Sequence, residues 1–190
     1  MTSPNKIVTI NQTQLNGYVH DIMRQMAADR FYPDYVVGIT RGGLIPATMI
    51  SQYLDVKMHT LDVSFRDGEG GPESNLWMAE DAFGYVDVES RENPADPDSV
   101  SSPRRRKNIL IVDDINDTGR TLQWIKDDWE SGCLPRNEIW NDIWHHNVQF
   151  ATIVDNESSE FKGVDFAGMI INKFEDPCWI EFPWENWWQK

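Results

Sequence analysis

Two hydrophobic patterns alternate along the chain. Apolar side chains recur at helical spacing over residues 13–30, with Thr13 as the predicted N-cap, whereas residues 35–40 and 108–112 form short β-rich runs without polar alternation. Such continuous runs are typical of strands buried on both faces of a parallel sheet. The same patterns predict helices over 44–53 and around Leu122, Ile125 and Trp129, and strands over 56–65, 148–154 and 166–171. Strands that alternate with helices indicate an α/β fold with a doubly wound sheet.

Two segments interrupt this alternation. Residues 66–107 are rich in glycine, proline and acidic residues, which predicts a long mobile loop or insertion with a short strand near 85–88. Residues 172–190 are too short for a domain of their own, so we expect them to fold back onto the sheet. Their aromatic residues are Trp179, Phe182, Trp184, Trp187 and Trp188, together with Phe174. The whole chain, 1–190, is therefore predicted to be one domain.

Charge and composition exclude several classes of function. The chain has 17 basic and 31 acidic residues, a formal net charge of −14, which argues against nucleic-acid binding. Its apolar runs are far shorter than the roughly 20 residues that span a bilayer, and residues 1–10 lack a signal-peptide core, so we expect a cytoplasmic protein without a membrane partner. The two cysteines, Cys133 and Cys178, have no metal-ligand spacing and are expected to stay reduced.

The strongest chemical signal follows the apolar run at 108–112. Asp113 and Asp114 come directly after it, where open α/β sheets bind ligands, and their carboxylates suit ribose hydroxyls or a hydrated Mg²⁺. Asp117 then begins a small polar turn into a helix, whose N-terminal N–H groups favour a phosphate. The residues of that turn are Thr118, Gly119, Arg120 and Thr121. A plain strand end with a helix cap is the alternative, but the coincidence of these features favours a ligand site.

Three stretches carry a family resemblance. Residues 111–121, Ile-Val-Asp-Asp-Ile-Asn-Asp-Thr-Gly-Arg-Thr, closely resemble the phosphoribosyl pyrophosphate (PRPP) signature of type I phosphoribosyltransferases, and residues 38–46 are similar to that family's pyrophosphate loop. Residues 176–184, with their Trp-Ile and Pro-Trp pairs, resemble the tail of bacterial xanthine-guanine phosphoribosyltransferases, and the strand-like residues 7–9 before a helix are also similar. The resemblance implies the type I phosphoribosyltransferase fold, a mostly parallel sheet flanked by helices. The resemblance also implies a small hood formed by the N- and C-terminal segments, the latter being 172–190.

The same resemblance implies an activity, a purine-salvage transferase that needs Mg²⁺. It would move the 5-phosphoribosyl group from PRPP to xanthine, guanine or hypoxanthine and release pyrophosphate and a nucleoside monophosphate. Asp114 and Asp113 would contact Mg²⁺, Asp117 would accept or relay the proton at N7 of the purine, and the peptide bond between Thr40 and Arg41 would be cis. The implied PRPP-binding residues are Arg41, Gly42, Gly43, Asp113, Asp114, Asp117, Thr118, Gly119, Arg120 and Thr121.

The implied base-binding residues are Trp179, whose ring would stack on the purine, and Ile180, whose backbone would contact the purine edge. The other tail tryptophans fit core or oligomer contacts at least as well. Where relatives place a lysine for the purine 6-oxo group, this chain has Asn156, whose amide donates a hydrogen bond but carries no charge. Arg66 is a candidate for the mobile-loop arginine that contacts pyrophosphate. Relatives are commonly oligomers, so a homo-oligomer is expected.

Two other hypotheses stay open from the sequence. Asn156 and the unusual loop also fit a non-catalytic protein of this fold that senses PRPP or a guanine nucleotide such as an alarmone. A third hypothesis keeps the transfer reaction but replaces the purine with a pyrimidine or a modified nucleobase. Turnover with a panel of bases distinguishes the enzymes, and nucleotide binding without turnover would identify the sensor.

Overall fold

The computed structural model describes residues 6–63, 75–84 and 105–188. In chain order strands and helices alternate up to α4, and β5, β6 and β7 then follow one another after a short 3₁₀ helix (Glu138–Asp142). The elements are β1 (Ile7–Thr9), α1 (Gln12–Ala28), β2 (Tyr35–Ile39), α2 (Leu44–Leu54), β3 (Lys57–Leu61), α3 (Leu76–Phe83), β4 (Ile109–Asn116), α4 (Arg120–Gly132), β5 (Val148–Asn156), β6 (Phe166–Ile171) and β7 (Trp179–Glu181).

The centre of the fold is a five-stranded parallel sheet in the order β3-β2-β4-β5-β6. The middle strands are buried on both faces, as their continuous apolar runs predict. One hydrophobic cluster covers the face under α3 and α4, and a second covers the face under α1 and α2. The predicted α/β fold with a parallel sheet flanked by helices is therefore confirmed.

Helix α1 begins earlier than the sequence pattern predicts. Its N-cap is Asn11, whose side-chain oxygen accepts the Gln14 backbone N–H at 2.9 Å, while the Gln14 side chain accepts the Asn11 N–H at 3.0 Å. This reciprocal capping box satisfies two backbone donors, so Thr13, which the sequence suggested as the cap, lies inside the first turn. The buried face of α1 packs against β6 and β5. It consists of Leu15, Val19, Ile22 and Met26.

A helix lies within the segment predicted to be mostly loop. Helix α3 buries Met78, Ala79 and Ala82 against the core, and Asp81 on it forms an ion pair with Lys107 at 2.8 Å, just before β4. A single apolar stretch of eight residues among glycines, prolines and acids gives too weak a periodicity to predict. The short strand expected near 85–88 and the candidate Arg66 lie outside the described residues.

The two terminal segments form a small second sheet. Strand β7 pairs in parallel with β1, so that Ile7 lies opposite Trp179 and Thr9 opposite Glu181. Beyond β7, the rings of Phe182 and Trp184 stack with their centroids 4.8 Å apart. The hood implied by the family resemblance is thus present as a two-stranded sheet. The assignment of residues 1–190 to one domain stays a prediction.

Three of the tryptophans serve the core rather than a ligand. Trp144 stacks between Trp129 and Trp140, at centroid distances of 5.7 and 5.5 Å, and its ring also lies 5.7 Å from that of Phe150. Offset aromatic stacks of this kind add to the stability that comes from burying their area. The large number of tryptophans is therefore explained in part by packing under α4.

The structure also bears on the state of the two cysteines and on membrane-spanning helices. Both Cys133 and Cys178 are buried free thiols, as expected, and burial, followed by the nearby Glu80 and Asp128 charges, raises the pKa of the Cys133 thiol. In the three described stretches of the chain, no helix is both long enough and apolar enough to cross a membrane.

Candidate active site

Strands β2 and β4 stop pairing before their carboxyl ends, and we call the space between these two ends the crevice. These strands pair only as far as Gly38 and Val112, after which β2 ends and β4 continues along β5 to Asn116. This position is the topological switch point of the sheet. Strand β3, which comes next after β2 in the chain, lies on one side of β2, and β4 lies on the other side. Ligands of open α/β sheets bind at such switch points.

Asp113 and Asp114 lie in the part of β4 that no longer pairs with β2. The sequence pattern places the strand end before them, whereas continued pairing with β5 carries the strand through both residues. The Asp113 carboxylate accepts the Asp114 N–H at 2.9 Å, and the Asp114 carboxylate accepts the Ile115 N–H at 2.9 Å. These bonds fix the direction of both carboxylates at the crevice.

The loop after β2 is anchored to the end of β3. The Thr40 hydroxyl donates to the Asp62 carboxylate at 2.7 Å, and the Thr40 N–H donates to the Leu61 carbonyl at 3.0 Å. The peptide bond between Thr40 and Arg41 is cis, which confirms what the family resemblance implies. Arg41 itself is exposed.

Two glycines let this loop approach β4 closely. A Cβ at Gly43 would lie 2.4 Å from the Val112 carbonyl oxygen and 2.8 Å from that of Ile39. A Cβ at Gly42 would lie only 1.8 Å from Oδ2 of Asp114. Both distances are far below van der Waals contact, so a side chain at Gly43 would collide with backbone oxygens and one at Gly42 would displace the Asp114 carboxylate. The structure therefore brings the loop residues and the acidic pair, which were predicted from separate motifs, side by side.

The turn from Asp117 to α4 depends on a third glycine. Gly119 has φ +89°, a left-handed conformation, and a Cβ there would lie 2.4 Å from the Phe161 backbone nitrogen. Thr118 and Arg120 beside it are exposed, and α4 begins directly after the turn. The positive end of the α4 dipole therefore lies at this turn, which suits an anion such as a phosphate.

Asn156 is a buried junction between three segments. Its side-chain nitrogen donates to the Asp117 carbonyl at 2.8 Å, and its side-chain oxygen accepts the Lys173 N–H at 2.9 Å. The same oxygen accepts bonds from the hydroxyl and the backbone N–H of Ser158 at 2.8 and 3.2 Å. The amide thus ties the end of β5 to the turn before α4 and to the chain after β6. The base contact suggested for Asn156 stays a prediction.

A lysine outside the recognised motifs contacts the site. Lys173 Nζ lies 2.8 Å from Oδ1 of Asp117, and the exposed fractions of the two side chains are 16% and 38%. Lys173 follows β6 by two residues, and β6 pairs Ile171 with Asn156 at the end of β5. Residues just past the ends of neighbouring parallel strands lie at the same edge of the sheet. A search for charged residues directly after each predicted strand would therefore have identified Lys173 as a candidate site residue.

Strand β7 of the hood has one exposed ring, that of Trp179, and one edge that does not pair with β1. Trp179 is 44% exposed although it belongs to β7, whereas the Ile180 side chain is buried. The Trp179 N–H donates to the Lys6 carbonyl, and the Glu181 carbonyl accepts the Ile10 N–H. Because alternate residues of a parallel strand face its partner, the N–H and C=O of Ile180 point away from β1.

The acidic pair fits a hydrated magnesium ion. Within the described stretches, no group of three or more histidine, cysteine, aspartate or glutamate side chains could hold a metal ion. Mg²⁺ does not need such a cage, since it keeps several waters and binds one or two carboxylates together with substrate phosphate oxygens. Asp113 and Asp114, held at the crevice by their backbone bonds, provide that kind of donor set.

Comparisons with known proteins agree on one family. A family model described as phosphoribosyl transferase domain matches residues 11–163. The xanthine-guanine phosphoribosyltransferase of Cereibacter sphaeroides is 28% identical over 151 residues, which cover 79% of this chain and 68% of the relative.

Two solved structures share the fold at low sequence identity. The xanthine-guanine-hypoxanthine phosphoribosyltransferase of Helicobacter pylori superposes with a TM-score of 0.61 at 15% identity, covering 96% of both chains. The purine phosphoribosyltransferase of Pyrococcus horikoshii gives a TM-score of 0.59 at 22% identity, covering 95% of both. At these identities the likeness establishes the fold of the chain.

Proposed function

The chain belongs to the phosphoribosyl transferase domain family, and from that premise we propose that it transfers the 5-phosphoribosyl group of PRPP to a purine base. The membership confirms the resemblance seen in the sequence and makes the chain a pentosyltransferase. Xanthine and guanine are proposed acceptors because the Cereibacter sphaeroides relative is named xanthine-guanine phosphoribosyltransferase. Hypoxanthine is the third proposed acceptor, as the resemblance in the sequence implies.

One observation carries the proposal, namely the contact between Gly42 and Asp114. The position of a Cβ on Gly42 falls 1.8 Å from the Asp114 carboxylate, so the loop after β2 and the acidic pair on β4 line the same crevice. PRPP carries a pyrophosphate on C1′ of a ribose with free hydroxyls. A site for it needs a pyrophosphate-binding loop directly beside ribose-binding carboxylates, and the short distance between the loop after β2 and Asp114 supports that assignment.

We assign the parts of PRPP to three groups of residues. Asp113 and Asp114 bind the ribose hydroxyls, and the pyrophosphate lies against the loop after β2. The 5′-phosphate lies at the turn before α4, where the helix dipole favours an anion. The pyrophosphate residues are Arg41, Gly42 and Gly43, and the phosphate residues are Thr118, Gly119, Arg120 and Thr121.

The transfer breaks the bond from C1′ to the pyrophosphate oxygen and forms a bond from C1′ to a ring nitrogen of the base. Positive charge develops on the ribose during this exchange, as in glycoside hydrolysis, and Asp113 and Asp114 stabilise it electrostatically. Asp114 and Asp113 would hold Mg²⁺, whose charge would offset the negative charge on the leaving pyrophosphate. Asp117 accepts or relays the proton that the purine loses at N7.

The hood supplies the base contacts in this proposal. The exposed ring of Trp179 stacks on the purine, and the outward N–H and C=O of Ile180 bond to its edge. The products are pyrophosphate and a nucleoside monophosphate. A cytoplasmic location, a homo-oligomeric assembly and the lack of nucleic-acid and membrane partners stay predictions.

The test is pyrophosphate release from PRPP and Mg²⁺ with a panel of purine and pyrimidine bases. We expect turnover with at least one of xanthine, guanine and hypoxanthine. Turnover with pyrimidines alone would replace the acceptor class. If no base reacts, calorimetry with PRPP and guanine nucleotides decides whether the chain is a sensor, and binding without turnover would overturn the enzyme proposal.

A further inference from the structure

The ion pair between Lys173 and Asp117 points to a role that no motif of the chain assigns. We infer that Lys173 is a specificity-determining residue, which donates a hydrogen bond to an oxygen of the base beside the nitrogen whose proton Asp117 accepts. The inference rests on the proposed transferase function. The positively charged residue of the base site would then follow β6. The lysine that relatives place in that site would instead correspond to Asn156, at the end of β5.

The pair presents an acceptor and a charged donor side by side. Lys173 Nζ and Asp117 Oδ1 are 2.8 Å apart. A 6-oxopurine protonated at N7 presents the complementary pair along one edge, an N–H donor next to a carbonyl acceptor. A 6-aminopurine presents a donor in the second position, and the Lys173 ammonium has no acceptor to offer it. The pair therefore selects oxo bases over amino bases.

The structure holds Lys173 in place from two sides. Its backbone N–H donates to the buried Asn156 side chain at 2.9 Å. The turn that follows is closed by Asn172, whose side-chain oxygen accepts the N–H groups of Phe174 and Glu175 at 3.1 and 3.3 Å. A donor with a fixed backbone loses less conformational freedom when it binds a ligand, which suits a recognition residue.

Burial distinguishes this pair from an ordinary surface ion pair. The side chains of Arg24 and Asp21, which pair on α1, are 72% and 48% exposed, against 16% for that of Lys173. Ion pairs on the surface contribute little because water screens both charges. A lysine that is largely shielded from water needs hydrogen-bond acceptors for its ammonium group. Asp117 supplies one acceptor, and an oxygen of the base can be a second.

The described residues between β5 and β6 do not supply a cation beside Asp117. Asn156 uses its amide to bond Asp117, Ser158 and Lys173, and its side chain is almost fully buried. The next basic residue in that stretch, Lys162, is exposed and donates to the Glu157 carbonyl. Lys173 is therefore the cation that the structure places on Asp117.

The test compares hypoxanthine with unsubstituted purine, which lacks the oxygen, in the unaltered chain and in Lys173→Met. We expect the unaltered chain to prefer hypoxanthine in kcat/KM by about tenfold or more, the scale of a hydrogen bond to a charged group. Lys173→Met should lose most of that preference, chiefly through KM for hypoxanthine. Lys173→Gln, which keeps an N–H donor without the charge, should fall between the two.

A matched control is Lys57→Met, which removes an exposed lysine from β3 and should leave the preference unchanged. A merely structural role of Lys173 would lower kcat/KM for both bases equally, so an unchanged preference in Lys173→Met overturns the inference while the transferase function stands. If neither variant folds, the unaltered chain decides, because equal kcat/KM for the two bases also overturns it. Failure of the proposed function is separate and appears as no turnover with any base.

Discussion

Asn156 donates a 2.8 Å hydrogen bond from its side chain to the carbonyl oxygen of Asp117, so the end of β5 holds the first residue of the turn before α4. The two residues are 39 positions apart in the chain. This bond positions Asp117, the proposed proton acceptor, and the opposite end of the same amide holds the backbone of Lys173. Positioning of the acid–base group therefore depends on a residue that need not touch substrate.

Replacing Asn156 with alanine should destabilise the fold. The substitution leaves the Asp117 carbonyl and the Lys173 N–H, which are both partly buried, without their partner. An unsatisfied buried group costs roughly 1–3 kcal/mol. We expect a fall of about 2 kcal/mol or more in the free energy of unfolding, measured by urea denaturation. Asn141→Ala, at an exposed position, should stay within about 0.5 kcal/mol of the unaltered chain. Equal stability of the two variants would contradict the junction role.

Gly42→Ala and Gly43→Ala should fail in different ways. The added methyl at Gly42 meets a side chain and not backbone, and it would force the Asp114 carboxylate out of the direction that its bond to the Ile115 N–H gives it. We therefore expect a stable fold with KM for PRPP raised about tenfold or more. The methyl at Gly43 meets backbone oxygens of Val112 and Ile39, which cannot move cheaply, so we expect lost stability. Thermal unfolding and KM for PRPP separate the two effects.

The control for both glycines is Gly17→Ala on α1, where a Cβ meets nothing within 4 Å. Alanine is the better helix former, so this variant should gain up to about 1 kcal/mol and keep its KM. Normal PRPP affinity in Gly42→Ala would remove the contact with Asp114 from the proposed site.

The parts of the fold that local pattern determines could be predicted from the sequence. Strands β2, β4 and β5 appear as apolar runs because both of their faces are buried, whereas the edge strand β6 appears through its apolar residues although most of them are only partly buried. Helix α4 appears through Leu122, Ile125 and Trp129. Helix α3 could not be predicted, since its stability comes from packing on distant strands and not from its own eight residues. The same holds for the start of α1, where a side-chain bond decides the cap.

The site divides in the same way. Asp113, Asp114 and Asp117 lie on one short stretch, so their spacing carries the signal. Lys173 meets Asp117 only because parallel pairing aligns Asn156 with Ile171 and brings two strand ends together. That register is a property of the sheet, and no local motif records it.

Asp117→Asn should lower kcat by about 100-fold or more, the scale of general acid–base catalysis, while KM for PRPP changes little. The amide keeps the shape of the side chain but cannot take up the proton, and it no longer balances the Lys173 charge 2.8 Å away. Steady-state kinetics with a saturating base measures both constants. Asp127→Asn, an exposed aspartate on α4 that accepts a bond from Gln123, is the control and should keep its kcat. A normal rate in Asp117→Asn would exclude Asp117 as the proton acceptor.

Trp179→Ala should raise KM for the base roughly tenfold, if stacking contributes about 1.5 kcal/mol, and leave KM for PRPP unchanged. The backbone bond that pairs β7 with β1 runs from the Trp179 N–H to Lys6, so the alanine variant retains the strand. Trp187→Ala is the matched control, because that ring is 77% exposed against 44% for Trp179 and lies beyond the strand. Tryptophan fluorescence quenching by the base provides a second measurement, which should weaken only in Trp179→Ala. Equal KM for the base in both variants would place the purine elsewhere than on the Trp179 ring.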